Sequence, residues 1–379
     1  MATLRDITLP GPGNTAWYTH YTSIDEDLRR VQPGVVQVDS FSGTDSEKMT
    51  AALTYAAAQT NKPVLQLPGR TFNTGSTSYD MFTGLKIIGA GVFEGTKNLE
   101  ISSGAPVIGK WQTTCGNLAS SLLRSTSEMY GITIAGVAFH GGTNSQLFRS
   151  TSNLYSCQFH NLTVFGGKHA FGAPSEKFLM TQAIFSGHWT VQSFNDQQFT
   201  LGGSDCELWM GGYLNIGGVA DGGGTPMMVL DSLSKTNAGY MYFTCDSNWV
   251  GLRVTGSQSS ISYYGGAYEG RSQADPSMWP VIDIVSGINT FYSPYIAQVD
   301  DATGDADGAI HQSGGQLTIY NPFYKRSTAV TAAFPLLYQS GGTARVYHPV
   351  CTIVGEQARI RWSTGVTETA GLHSNGLTA

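Results

Sequence analysis

Most of the chain consists of short apolar runs, but in one segment the apolar residues recur with the period of a helix. Thr44, followed by Glu47 three residues later, matches a capping box. The apolar positions that follow fall three and four residues apart, on one helix face: Met49, Ala52, Leu53 and Ala56. The pattern predicts an amphipathic helix at about 45–60, which Pro63 prevents from continuing.

The rest of the sequence consists of short apolar runs separated by Gly, Ser, Asn and Thr, and these runs repeat. Segments around Arg124 and Arg149 align without a gap, 25 residues apart. Nearer the C-terminus, four units are led by tyrosines at intervals of 28, 28 and 27 residues: Tyr264, Tyr292, Tyr320 and Tyr347. Such a pitch is typical of β-solenoids, whose coils bury apolar side chains against the coils above and below. Residues 170–255 follow no single period, and we expect longer loops to leave the coil there.

The repeat therefore predicts an all-β chain, a parallel β-helix whose first coil needs a cover over its apolar end. The helix at about 45–60 is well placed to be that cap. Residues 1–40 contain several Pro and Gly and no sustained period, so we interpret them as an arm. Residues 41–379 are predicted to form the β-helix.

Composition and charge exclude several classes of function. The net charge is −6, and no cluster of five basic residues occurs, so nucleic acid is not an expected partner. No run of 18 apolar residues and no signal-peptide pattern is present, so we expect neither membrane insertion nor classical secretion. Five cysteines stand singly and are interpreted as small buried hydrophobes: Cys115, Cys157, Cys206, Cys245 and Cys351.

The opening of the predicted β-helix resembles a known family. The Gly-Thr-Asp-Ser start of the helix, its Ala-rich interior and the strand that ends in LPGRTF at 67–72 are similar to the opening of the pectate-lyase-like right-handed β-helix family. The match covers residues 39 to about 95. Together with the aromatic N-terminal segment, it resembles bacteriophage tail-spike and tail-fibre, or minor tail, proteins. The resemblance implies a right-handed homotrimer, part of the virion tail, with an arm bound to other tail proteins.

On this resemblance we expect a tail protein that binds a host surface polysaccharide during adsorption. Two alternatives stay open. One is a polysaccharide depolymerase, acting as a hydrolase or a lyase on the same β-helix. The other is a purely structural component of the virion tail.

Three carboxylates are the candidate catalytic residues. Asp205 and Glu207 flank Cys206, and strand alternation would place both on one face beside Trp209. Two like charges held close raise one pKa, which suits a general acid. An exposed turn is the alternative interpretation. Glu269 is the third candidate, and with Arg271 it could equally form a surface ion pair.

Aromatic residues of the C-terminal units are the candidate binding residues. Alignment of these units places three tyrosines at nearly the same lateral position: Tyr268, Tyr295 and Tyr324. With Trp209 and Arg271 they would offer flat rings and polar tips to a sugar chain. Packing inside the coil or at a trimer interface is the alternative for these tyrosines.

No cofactor and no metal are expected. The sequence contains no HExxH, GxSxG, GxGxxG or P-loop motif, and no His pairs with a Cys at zinc-ligand spacing. The acidic run at 300–308, DDATGDADG, lacks the spacing of an EF-hand and is interpreted as a solvated loop.

Overall fold

Short parallel strands wind into a stack of coils in the computed structural model. It describes residues 34–89, 110–116, 120–194, 196–216, 225–246, 250–271, 280–298, 309–326, 336–351 and 360–362. Every pairing between the strands in these ranges is parallel, and most strands pair with their counterparts in the coils below and above. The prediction of an all-β parallel solenoid with a short helix near the N-terminus is confirmed.

The elements follow one another as short strands with tight corners. A 3-10 turn spans Val38–Ser40, and helix α1 spans Asp45–Ala58. The strands of the first coils are β1 Val35–Gln37, β2 Val64–Gln66, β3 Thr71–Asn73, β4 Tyr79–Asp80, β5 Lys86–Ile88, β6 Lys110–Thr113, β7 Leu123–Ser125, β8 Met129–Tyr130, β9 Thr133–Ala135, β10 Ala138–Gly141, β11 Gln146–Ser150, β12 Leu154–Tyr155, β13 Gln158–His160, β14 Thr163–Gly167, β15 His169–Phe171 and β16 Phe178–Thr181. Those of the later coils are β17 Ile184–Phe194, β18 Phe199–Ser204, β19 Glu207–Ile216, β20 Pro226–Ser234, β21 Thr236–Asp246, β22 Val250–Thr255, β23 Ser260–Tyr264, β24 Ala267–Arg271, β25 Ile282–Ile284, β26 Ile288–Tyr292, β27 Tyr295–Gln298, β28 Ile310–Gln312, β29 Gln316–Tyr320, β30 Phe323–Arg326, β31 Leu337–Gln339, β32 Thr343–Tyr347, β33 Val350–Cys351 and β34 Ile360–Trp362.

The register of the strands confirms both predicted pitches. Arg124 in β7 lies directly opposite Arg149 in β11. The four leading tyrosines of the C-terminal units are likewise opposite one another in β23, β26, β29 and β32. One repeat of the sequence is therefore one coil of the solenoid.

Inward-facing side chains of successive coils stack into a continuous apolar core. The rings of Phe148 and Phe171 are parallel at 4.3 Å between centroids, and Phe199 follows Phe171 at 5.5 Å. Farther along, Tyr263 stacks on Phe291 at 4.1 Å. All five side chains are at most 1% exposed, so each coil depends on its neighbours for burial.

Helix α1 closes the N-terminal end of this core, as predicted. The Thr44 side chain accepts the backbone N–H of Glu47, and the Glu47 carboxylate accepts the N–H of Thr44. The helix buries the predicted face: Met49, Ala52, Leu53 and Ala56. Arg70 ties the cap to the coil because its guanidinium donates to the carboxylates of both Asp39 and Asp45.

One boundary differs from the prediction. Strand β1 pairs with β2, so the solenoid begins before residue 40. Residues 1–33 of the predicted arm lie outside the described residues. The longer loops expected within 170–255 stay a prediction, since residues 195, 217–224 and 247–249 lie outside the described residues. In the described part, β17, β19 and β21 are long strands that pair through most of their length. The sequence lacks a single period there because the coils differ in length: Glu207 lies opposite Ile184, 23 positions earlier, and opposite Asn237, 30 positions later.

The remaining predictions about the chain have mixed outcomes. Cys115, Cys157 and Cys206 are buried and unpaired, as expected, whereas the side chains of Cys245 and Cys351 and the acidic run 300–308 lie outside the described residues. Within the described part of the chain, no helix is long and apolar enough to span a membrane. The same residues contain no group of three His, Cys, Asp or Glu side chains arranged to hold a metal ion.

Candidate functional site

One outer edge of the C-terminal coils has an aromatic side chain in nearly every coil. Register connects residue 209 to 239, 264, 292, 320 and 347 on adjacent strands. We refer to the five aromatic residues among them as the aromatic column: Trp209, Tyr264, Tyr292, Tyr320 and Tyr347. Neighbouring ring centroids along the column are 5.7, 5.0, 5.3 and 4.9 Å apart, with interplanar angles of 25°, 9°, 8° and 9°.

The local sequence explains why these side chains face outwards at the edge. Each tyrosine of the column is followed by a residue in the left-handed conformation: Gly265, Ser293, Asn321 and His348. That conformation turns the chain sharply, so it ends the strand directly after the tyrosine. The aromatic column therefore lies along a corner of the solenoid.

The column is interrupted in one coil, and Trp209 spans the interruption. In the coil between Trp209 and Tyr264, the column position is taken by Gly239, which has no side chain. The indole of Trp209 reaches across Gly239 and stacks on Tyr264. The next residue, Tyr240, has a φ of 58° and a side chain 67% exposed, and its ring lies 5.6 Å from that of Trp209. A left-handed tyrosine is unusual because its Cβ crowds the backbone. Tyr240 therefore adds an exposed ring beside the half-buried indole at this end of the column.

A second column of polar side chains runs beside the first, two residues earlier on each strand. We refer to its members as the polar column: Asn237, Ser262, Thr290 and Thr318. The register continues to Glu207 at one end and to Arg345 at the other. Glu207 connects the two columns, since its carboxylate accepts the indole Nε1–H of Trp209 at 2.5 Å and the Nδ2–H of Asn237 at 2.8 Å.

The two columns present a surface that is aromatic and uncharged along most of its length. Tyr264 and Tyr292 are 39% and 38% exposed although each is stacked. Centroid separations of about 5 Å between nearly parallel rings mean that the rings are offset, so edges, parts of faces and phenolic groups remain accessible. Rings of this kind contact C–H groups, and the neighbouring hydroxyls and amide form hydrogen bonds.

Among the predicted residues, Trp209 belongs to the aromatic column and Glu207 connects the two columns. Asp205 lies in the turn before β19 with a φ of 54°, and its carboxylate is 4.0 Å from the ammonium of Lys235. Both carboxylates are outside the coil, on either side of buried Cys206, but they face different partners. The exposed-turn interpretation therefore describes Asp205 well.

Glu269 lies away from the other two carboxylates. Its Oε2 accepts the hydroxyl of Tyr242 at 2.6 Å, and it is level with Thr244 in β21. Glu207 is level with Asn237, which precedes Thr244 by seven residues in β21 and lies before the corner at Tyr240. Consequently Glu269 and Glu207 do not face each other as a catalytic pair. Arg271 ends β24, and its side chain lies outside the described residues.

The predicted strip of Tyr268, Tyr295 and Tyr324 does not exist as one strip. Tyr268 and Tyr324 are 1% and 2% exposed and belong to the core, which confirms the packing alternative for these two. Tyr295 pairs with Ala267 and is half-buried against Phe323 at 5.4 Å. Tyr268 and Tyr324 share one register position through Ile296, as aligned, whereas Tyr295 is one residue off, and in a strand that shift reverses the direction of its side chain.

The sequence contains a signal for the aromatic column. The leading tyrosines were already aligned at 27- and 28-residue intervals, and such intervals place equivalent side chains one coil apart. Asn237 and Tyr240 gave no such signal because the stretch 170–255 has no single period.

Comparisons with known proteins show similarity in fold only. No protein-family model matches the chain, and no curated protein matches it. Among solved structures, the A-module of a mannuronan C-5 epimerase from Azotobacter vinelandii is 11% identical, with a TM-score of 0.43, and the match covers 90% of this chain and 99% of the module. A second such module from the same organism is 10% identical, with a TM-score of 0.38 and coverage of 87% and 100%. An α-1,3-glucanase catalytic domain in complex with nigerose is 11% identical, with a TM-score of 0.32 and coverage of 83% and 65%.

Proposed function

We propose that the protein binds an extended polysaccharide along the aromatic and polar columns. The observation that carries this proposal is the register of Trp209, Tyr264, Tyr292, Tyr320 and Tyr347 on one outer corner. A site that repeats from coil to coil fits a ligand that also repeats along its length. Polysaccharides are such ligands, with apolar C–H faces and many hydroxyls.

The chemistry of the surface favours sugars over charged polymers. Between Glu207 and Arg345 the polar column contains only hydroxyl and amide side chains, which donate and accept hydrogen bonds without carrying charge. The stacked tyrosines are pre-ordered by their neighbours, so binding costs little side-chain entropy. A neutral or weakly charged glycan is therefore the best match.

Retention on immobilised polysaccharides tests the proposal. We expect the protein to be retained by at least one member of a panel of capsular and cell-wall polysaccharides. The double variant Tyr264→Ala/Tyr292→Ala should lose about 5- to 150-fold in affinity, since aromatic contacts of this type contribute on the order of 0.5–1.5 kcal/mol each.

Tyr130→Ala is the matched control. Tyr130 is 52% exposed and stacks on Tyr155 at 4.9 Å, but it lies on β8, outside the aromatic column. Its removal should leave retention unchanged. Retention by none of the panel, or equal retention of wild type and the double variant, would contradict the proposed site.

A depolymerase remains a second candidate, favoured by the position of Glu207 at the junction of the two columns. Hydrolysis by paired carboxylates requires two groups across the scissile bond, about 5–9.5 Å apart. Asp205 faces Lys235 and Glu269 lies beyond a corner, so the geometry supports binding better than cleavage. Product size and reducing ends should stay constant in the same incubations, whereas shortened chains that disappear with Glu207→Gln would establish the enzyme.

The biological setting that we propose is a bacteriophage tail spike or minor tail protein in the virion, assembled as a homotrimer. This proposal is supported by the resemblance of residues 39–95 and by the solenoid fold. Three solenoids side by side could shield their lateral apolar patches, and closed symmetric assemblies are the usual solution. Sedimentation equilibrium should give three times the chain mass of 40.5 kDa. A monodisperse monomer at micromolar concentration would contradict the trimer.

A further inference from the structure

A chain of hydrogen bonds links a serine, a histidine and an aspartate on three successive coils. The Oγ of Ser340 lies 2.9 Å from Nε2 of His311, and Nδ1 of His311 lies 3.0 Å from Oδ1 of Asp283. These residues are 28 and 29 positions apart in the sequence, which is one coil each. They lie outside the aromatic column, on the other sheet: Asp283 and His311 are the middle residues of β25 and β28, and Ser340 directly follows β31.

Asp283 is held as a carboxylate in a nearly buried position. It is 7% exposed, and Nε of Arg253 donates to its other oxygen at 2.7 Å. Burial alone would raise the pKa of Asp283, but the hydrogen bond from His311 and the charge of Arg253 keep it below the ordinary value. An ionised Asp283 accepts a hydrogen bond from the Nδ1–H of His311. Nε2 of His311 is then the acceptor for the hydroxyl of Ser340.

The imidazole is fixed from a second direction. The ring of Tyr338 stacks on that of His311 at 5.6 Å between centroids and 18° between planes. Both His311 and Ser340 remain partly accessible, with the side chain of His311 19% exposed. A nucleophile, a base bonded to it and a carboxylate that orients the base are the three parts of an acyl-transfer site.

We propose that Ser340, His311 and Asp283 form an esterase site that cleaves short-chain acyl esters. Ser340 is the nucleophile, His311 the general base and Asp283 the positioning residue. The proposal is independent of polysaccharide binding because it uses another face of the solenoid. No sequence motif marks this site, since the sequence around Ser340, YQSGG, lacks the GxSxG pattern.

The reaction balances with water as the only co-reactant. Ser340 Oγ attacks the ester carbonyl carbon while its proton moves to Nε2 of His311, and collapse of the intermediate breaks the acyl C–O bond. The alcohol leaves with the proton from His311. Water, deprotonated by His311, then attacks the acyl-serine and releases the acid, and the proton returns to Ser340.

The backbone beside Ser340 contributes one candidate oxyanion donor. The N–H of Gly341 already donates to the carbonyl of Gln312 at 3.2 Å, and the hydroxyl of Ser340 also lies 3.4 Å from that carbonyl. The N–H of Gly342 makes no backbone hydrogen bond within the described residues. This N–H is the candidate donor to the substrate oxyanion, and it belongs to the second residue after the nucleophile Ser340.

Covalent labelling tests the site without knowledge of its natural substrate. The native full-length chain is incubated with a fluorophosphonate probe, and the labelled peptide is identified by mass spectrometry. We expect label on Ser340 and saturable hydrolysis of p-nitrophenyl acetate. His311→Asn retains the serine and should reduce both rates by about 10²-fold or more, the ordinary contribution of a general base.

Ser313→Ala is the matched control. Ser313 starts the equivalent Ser-Gly-Gly turn one coil earlier and is exposed, so its removal should leave both rates unchanged. Circular dichroism of each variant verifies that the coil is intact. Absence of label on Ser340 in the folded wild type, or equal labelling in folded His311→Asn, would overturn the proposal.

Discussion

The indole of Trp209 occupies the space that a side chain on Gly239 would need. A Cβ placed on Gly239 would lie 2.5 Å from Cζ3 and 2.8 Å from Cε3 of the indole. It would also lie 2.8 Å from the carbonyl oxygen of Tyr264. Contacts this short do not occur between real Cβ atoms and their neighbours, so the glycine is what allows Trp209 to stack on Tyr264.

Gly239→Ala should therefore displace the indole and break the aromatic column between Trp209 and Tyr264. We expect a loss of about 1–3 kcal/mol in the free energy of unfolding, as for overpacked sites, and weaker retention on the bound polysaccharide. Gly211→Ala is the control, because a Cβ there would lie 3.6 Å from its nearest neighbour, an ordinary contact. Urea unfolding and polysaccharide retention of both variants measure the difference. Equal stability of the two variants would show that the indole does not need this space.

The column also shows how far the sequence alone determines the site. The capping helix was predictable because Thr44 and Glu47 act locally, and the pitch because equivalent residues recur at fixed intervals. The direction of a side chain next to a corner was not predictable, because it depends on whether the corner residue takes the left-handed backbone conformation. Left-handed Gly265 separates outward Tyr264 from inward Tyr268, and no alternation pattern shows that reversal.

The histidine of the proposed esterase site could not be identified for a related reason. Asp283 and His311 are spaced by the pitch of the coil, but many polar residues share that spacing by chance, and Ser340 lies two residues beyond Tyr338, the residue opposite His311. Only the register of β25 and β28, with the course of the turn after β31, brings the three groups within hydrogen-bond distance.

Buried and exposed tyrosines should differ sharply in their effect on stability. Tyr268 is 1% exposed and stacks on Phe243 at 5.5 Å, so Tyr268→Ala should cost about 3–5 kcal/mol, as for other large core aromatics. Tyr292→Ala removes a side chain that is 38% exposed and should cost less than about 1.5 kcal/mol. Urea denaturation of both variants makes the comparison. A larger loss for Tyr292→Ala would contradict the assignment of Tyr268 to the core.

The helix cap should lose stability in acid through Asp39. The hydrogen bond from Arg70, opposed by partial burial and aided by Lys48, lowers the pKa of Asp39 to about 2. Because this folded-state pKa lies below the ordinary value near 3.8, the contribution is complete above that value and disappears as the pH falls towards 2. The urea midpoints of wild type and Asp39→Asn should thus differ at pH 6 and converge near pH 2. Parallel curves throughout this range would contradict the role of the ion pair.

The buried cysteines should be chemically inert until the coil opens. Cys157 and Cys206 are fully buried, and burial raises the pKa of each thiol to about 11. Since the thiolate is the reactive form, iodoacetamide at pH 8 should leave both unmodified in the folded protein and alkylate both in denaturant. Peptide mapping by mass spectrometry distinguishes these sites from the other cysteines. Rapid alkylation of Cys206 under native conditions would mean that the coils around β18 and β19 separate readily, and the rigid support for Trp209 would then be lost.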